Sequence, residues 1–192
     1  MLYIKCIGIG LPTWFVIGIL ATFGNEIGEA FKIPVQIKPG LAIMWCYVGL
    51  AIGDLCSGFI SHALHSRRKA VALLMSVSLV FSIAYLVGDL ESEIIHYILI
   101  LFAGFGIGYW AMFVTISAEQ FGTNLRATAA TTVPNMVRGT VVLMTTGYSM
   151  FKSHFGVLDS AALVGLVCFT LAFISLARIP ETHGRDLNFN EE

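Results

Sequence analysis

Arg138 lies in the stretch "TTVPNMVRGTVVLMTTG", inside a run from Ala127 to Phe151 that holds no other charge. A guanidinium in the middle of an apolar span costs about 2.5–3.5 kcal/mol even on the most lenient insertion scale. At ~1.5 Å per residue it lies about 18 Å from Arg126, too deep for its side chain to snorkel out. Three partners could face it. These are Asp54, oxygens such as those of Asn135 and of the carbonyl freed by Pro134, or an anionic substrate. The chemistry that best suits a planar guanidinium fork is capture of a substrate carboxylate. Asp54 is the second charge set inside a span, about 12 Å from His62. It either bridges to Arg138 or bonds the end of a neighbouring helix as part of a gate. Aromatic candidates for the same cavity are Trp14, which follows Pro12 and Thr13 and breaks the first span near its middle, and the pair Tyr109 and Phe113, which share a helix face at i and i+4. No nucleophile–base pair or metal-ligand cluster occurs within the spans, and the four cysteines sit singly. Neither an enzyme, a metal nor a cofactor is expected.

The elements that must position these residues follow from charge spacing. The chain has 192 residues, 57% hydrophobic and 12% charged, with a mean hydropathy of +0.83. A soluble domain carries about 25% charge. A net charge of -1 gives no reason to expect a nucleic-acid partner. The uncharged runs approach the ~20 residues that a helix needs to cross a bilayer. They predict an all-α membrane protein with six spans, at about 6–24, 41–61, 70–88, 94–118, 127–151 and 157–177, and a polar tail over 178–192. The first run is longer than the 7–15 residues of a signal-peptide core and no A-x-A site follows it, which argues against a cleaved leader.

Orientation follows from Lys and Arg alone. Lys5, Arg67, Arg68, Lys69, Arg126, Arg178 and Arg185 fall on one side, and Lys32, Lys38 and Lys152 on the other. Seven against three predicts both termini in the cytoplasm and the acidic cluster Glu26, Glu29, Asp89, Glu91 and Glu93 outside. Small residues spaced at i and i+4, Gly49 with Gly53 and Gly104 with Gly108, predict close helix contacts. The "GFGIG" run is not a nucleotide loop, because it lies inside a span with no strand before it.

Three motifs now have places in this topology. "PETHGRDL" follows the last span, "AEQFGTNLRAT" carries an E-x6-R pattern between the fourth and fifth, and "GDLCSGFISHALHSRRK" joins the second to the third. Together they resemble the major facilitator superfamily. The likeness is to its sugar-porter-like branch of metabolite–proton symporters, and it covers nearly the whole chain as a carboxyl-terminal half. Two departures stand out: His62 where the loop motif has an acid, and Gly122 where sugar porters commonly have proline. The resemblance implies one half of the fold, built from two inverted three-helix repeats and requiring a second six-helix half, as a homodimer or a separate chain. The chain could equally be a fragment of a longer protein. It implies that Glu119, Arg126, Arg67, Arg68 and Glu181 form a cytoplasmic gate network, to which Asp54 is assigned by its depth, nearer the loop than the centre of its span. His62, His65 and His183 are expected to be exposed polar residues nearby.

The expected function is secondary active transport of a small organic solute, an organic anion favoured, by alternating access in the cell (inner) membrane. A proton is the expected coupling ion, with Asp54 or Glu119 as its carrier. Substrate contacts are expected from Arg138, Asn135, Trp14, Tyr109 and Phe113. The alternative is a non-transporting membrane receptor or assembly subunit on the same fold.

Overall fold

Most charges fall near helix ends, while Asp54 and Arg138 lie inside helices that run on past them. A computed structural model describes residues 2–88 and 92–184. Asp89, Glu91 and the tail from Arg185 onward lie outside the described residues. All regular structure among the described residues is helical.

The first segment, α1 (Leu2–Phe15), does not stop at Pro12. It runs through the proline and changes pitch afterwards, into a buried π-helical turn over Val16–Ala21. The Thr22 hydroxyl closes that turn by donating to the Ile17 carbonyl at 2.7 Å. The polar link that charge spacing predicts next holds a short helix, α2 (Gly24–Ala30), anchored by the fully buried Ile27. Pro39 starts α3 (Pro39–Leu64) at a position where its missing N–H costs nothing. His65 ends it in the left-handed conformation, with φ 47°.

The next helix, α4 (Arg67–Val87), is capped by the Ser66 hydroxyl, which accepts from the Lys69 N–H at 3.1 Å. The predicted 94–118 span is two helices, α5 (Glu93–Gly106) and α6 (Trp110–Glu119), separated by a turn over 107–109. Glycines at 104, 106 and 108 crowd that region and favour the break. The bundle is completed by α7 (Arg126–Phe155) and α8 (Val157–Ala177).

Five segments are long and apolar enough to cross a membrane: Leu2–Ala21, Pro39–Leu64, Arg67–Val87, Glu93–Glu119 and Val157–Ala177. With its 30 residues α7 also has the length, but its threonines, Asn135 and Arg138 make it the most polar of the long helices.

The closest packing is between α3 and α5. A Cβ on Gly49 would strike the Leu101 carbonyl, one on Gly53 the Phe105 carbonyl, and one on Gly104 the Cys46 carbonyl. The two glycine pairs thus face each other and bring the backbones into contact, as small residues allow in lipid. On the other side α1 lies between α7 and α8, with Gly8 against Ser175.

Candidate functional site

Arg138 is exposed on the outer face of α7, and so is Asn135 one turn before it. The α-helical run through Pro134 places both on one side, while Val133 and Val137 point into the core. The guanidinium carbon lies 5.3 Å from the Trp14 ring centroid, a cation–π contact. Trp14 in turn meets Trp110 edge-on at 6.0 Å. Among the described residues no carboxylate pairs with Arg138. The arrangement is a half-open polar patch of cation, amide and two indole rings on an otherwise apolar bundle.

Tyr109 and Phe113 do not reach this patch, since both are fully buried. The Tyr109 hydroxyl donates to the Ile9 carbonyl of α1 at 3.0 Å, which turns the shared face inward. Of the three aromatics in that segment, Trp110 borders the patch and Phe113 supports it from behind, 4.9 Å from the Trp110 ring.

Asp54 is not joined to Arg138 either. Its Oδ1 accepts from the Ala111 N–H at 3.0 Å. That N–H is one of the orphan donors in the first turn of α6, and Tyr109 at the N-cap supplies no side-chain bond. A carboxylate on α3 therefore caps a helix that it crosses. Asp54 also lines a cleft of about 370 Å³ with Ser57, Ser61, His62, Arg67, Thr115 and His183.

This cleft leads to a charge cluster at the end where α4 begins and α8 ends. Arg67 pairs with Glu119 at 2.7 Å, tying α4 to the end of α6. Glu181, just past α8, accepts from the Ser66 hydroxyl and from the backbone N–H groups of Arg67 at 3.1 Å and Arg68 at 3.3 Å. It also accepts from the N–H groups of Thr182 at 3.0 Å and His183 at 3.1 Å. The acid of the "PETHG" motif is thus a cap for the N-terminus of α4. Burial alone would raise its pKa. The Ser66 hydroxyl and the three N–H donors of His183, Arg68 and Thr182 outweigh that and hold it below the ordinary 4.5. Arg68 donates to the Ala177 carbonyl at 3.0 Å. Arg126 opens α7, with its N–H on the Gly122 carbonyl at 2.9 Å. His65 lies 6.1 Å, ring to ring, from both His62 and His183.

Further polar contacts lie outside the expected gate and substrate residues. Gln120 donates to the Pro180 carbonyl at 2.9 Å and holds the tail down. At the opposite end of the bundle Glu26 accepts from Lys152 at 3.0 Å and from the Tyr148 hydroxyl at 3.0 Å, tying α2 to α7. Inside, Tyr85 and His96 share a hydrogen bond of 2.7 Å. Gln120 and Pro180 lie inside the quoted motifs, and Glu26 and Lys152 fall on the same predicted side, but no sequence signal paired Tyr85 with His96.

No family profile matches the chain. It is similar to a probable 4-methylmuconolactone transporter of Cupriavidus pinatubonensis, with 23% identity over 152 residues. The matched region is 78% of this chain and 35% of that protein, so the chain spans about a third of its relative. The five apolar helices and this likeness together support a multi-pass membrane protein of the transporter kind.

Proposed function

We propose that the chain forms one half of a secondary transporter of the major facilitator type, sugar-porter-like, that moves a small organic anion by alternating access. The observation that carries this is Arg138, exposed on the most polar long helix and stacked on Trp14, with no carboxylate partner among the described residues. Facing lipid, that guanidinium would be costly. Facing a central cavity closed by a second six-helix half, it becomes the docking point for a carboxylate. Asn135 adds an amide beside it, Trp14 and Trp110 form the wall, and Tyr109 and Phe113 hold that wall in place.

In this reading the ends carrying Lys5, Arg67–Lys69 and Arg126 lie in the cytoplasm, with six spans counting α7. The bonds of Arg67, Arg68, Arg126, Glu119 and Glu181, with the Asp54 cap, then form the inner gate. They must loosen for the cavity to open inward, so their strength sets the balance of the two states. Glu119 or Asp54 is the group through which a proton would couple.

Uptake into proteoliposomes tests the reading, with 4-methylmuconolactone and a panel of organic acids as starting compounds. The chain is assayed alone, as a dimer and with a candidate second half. Losing a charge-assisted pair worth about 1.5–3 kcal/mol should weaken substrate binding about 10- to 150-fold in Arg138→Ala. Arg138→Lys should keep the fold and part of the activity. Unchanged uptake by Arg138→Ala would remove the arginine from the substrate site.

A further inference from the structure

A second cavity, separate from the Asp54 cleft, opens between the start of α4 and the end of α8. It encloses about 570 Å³ and joins two chemistries. Arg68 and Lys69 line it together with Ala72, Phe173 and Leu176. At ~1.5 Å per residue Ala72 and Phe173 lie about 6–8 Å below the helix ends, with Leu176 nearer the mouth. Both helices are long and apolar enough to cross a bilayer, which puts the cations at the headgroup level and the apolar part among acyl chains.

The charge of this cavity is positive despite Glu181 in its wall. That carboxylate already accepts from the Ser66 hydroxyl and from backbone N–H groups on α4 and the tail, so it has little left to offer the neighbouring cations. Arg67 is committed to Glu119. Arg68 uses one of its donors on the Ala177 carbonyl, and among the described residues no carboxylate pairs with it. Lys69 is exposed, and among the described residues no carboxylate pairs with it.

We propose that this cavity binds an anionic phospholipid, with the phosphate between Arg68 and Lys69 and an acyl chain along Ala72, Phe173 and Leu176. Basic pockets between spanning helices are suited to such headgroups. The bound lipid would clamp α4 to α8 at the point where Glu181 also joins them. The proposal rests on α4 and α8 crossing the bilayer. Alkaline extraction of membranes tests that placement separately, since a spanning chain stays in the pellet whatever lipid it binds.

The lipid itself is tested on the full chain in detergent, titrated with phosphatidylglycerol and, in parallel, phosphatidylcholine, with bound lipid counted by native mass spectrometry. Phosphatidylglycerol should bind at least about tenfold more tightly than phosphatidylcholine, the scale expected for two cations near the headgroup. Arg68→Gln and Lys69→Gln should each weaken it about fivefold, and the double variant about 30-fold, with phosphatidylcholine unchanged. Arg68→Lys should retain wild-type binding. If Arg68→Gln disturbs the fold by circular dichroism, the exposed Lys69→Gln and Lys69→Glu carry the test. A preference that survives neutralisation of these cations overturns the proposal. Full displacement of the lipid by glycerol phosphate would also overturn it, in favour of a soluble phosphate site.

Discussion

Removing either partner of the Arg67–Glu119 pair should have unequal costs, and the inequality can be worked from burial. The Glu119 side chain is 9% exposed and that of Arg67 26%. The second Glu119 oxygen is buried and has no hydrogen-bond partner among the described residues. Arg67→Met therefore strands a carboxylate where water reaches poorly. Losing one member of a buried pair costs 3–5 kcal/mol, and the partial exposure of Arg67 trims this to about 2–3 kcal/mol. Glu119→Gln instead frees an arginine that can turn toward water, at about 1 kcal/mol, the upper end for exposed pairs. The double variant should recover about half of the Arg67→Met loss, giving a coupling energy of about 2–2.5 kcal/mol. Reversible unfolding in mixed micelles at neutral pH, run as a double-mutant cycle, measures all three. If Glu119→Gln costs as much as Arg67→Met, or the coupling falls below about 0.3 kcal/mol, the pair is a surface contact and cannot bias a gate.

Three further outcomes follow from the same geometry. Glu181 has a depressed folded-state pKa, so its stabilisation is present above about pH 4.5 and is lost as pH falls through the depressed value. Glu181→Gln should cost about 1 kcal/mol at pH 7 and flatten the acid limb of a stability–pH curve. Gly53→Ala drives a methyl into the Phe105 carbonyl, which is backbone and cannot swing away. It should cost about 2 kcal/mol or more in the same unfolding assay, and a neutral result would mean that α3 and α5 are not in contact. For orientation, Ala63→Cys should resist a membrane-impermeant maleimide in intact cells while Ser153→Cys reacts. The reverse pattern would invert the assignment made from Lys and Arg.

What the sequence revealed depended on how local each signal is. The glycine pairs were legible because a four-residue period signals a close approach directly: Gly49, Gly53 and Gly104 bring α3 against α5, and Gly108, in the turn after α5, meets Gly53. Motif order was enough to single out Arg67, Arg68, Glu119 and Glu181, which the fold gathers at one end. Periodicity also placed Tyr109 and Phe113 on one face, but it carries no information on which way that face points. The hydrogen bond to Ile9 settles that, and it spans 100 residues. The Glu26–Lys152 and Glu26–Tyr148 contacts have separations of 126 and 122 residues and no local pattern at all. The π-helical turn and α2 were invisible for a different reason. Both are held by burial of short segments, and neither has a composition that separates it from an ordinary helix or a polar link.

The few charges of this chain divide by what their surroundings require. In an apolar solvent the first turn of a helix leaves N–H groups that water cannot satisfy. Asp54 meets that demand for α6 and Glu181 meets it for α4, one from a neighbouring helix and the other from the tail. Arg68 answers the matching demand of carbonyls at the end of α8. Glu26 and Lys152 neutralise each other at the far end, and Arg67 and Glu119 do so at the near one. Each of these charges has a protein group that accounts for it. Arg138 has an aromatic ring beneath it and an open face above, and the ring leaves its N–H donors available. Under the transport reading proposed above, that open face is where an anionic substrate would dock and repay the desolvation of the guanidinium.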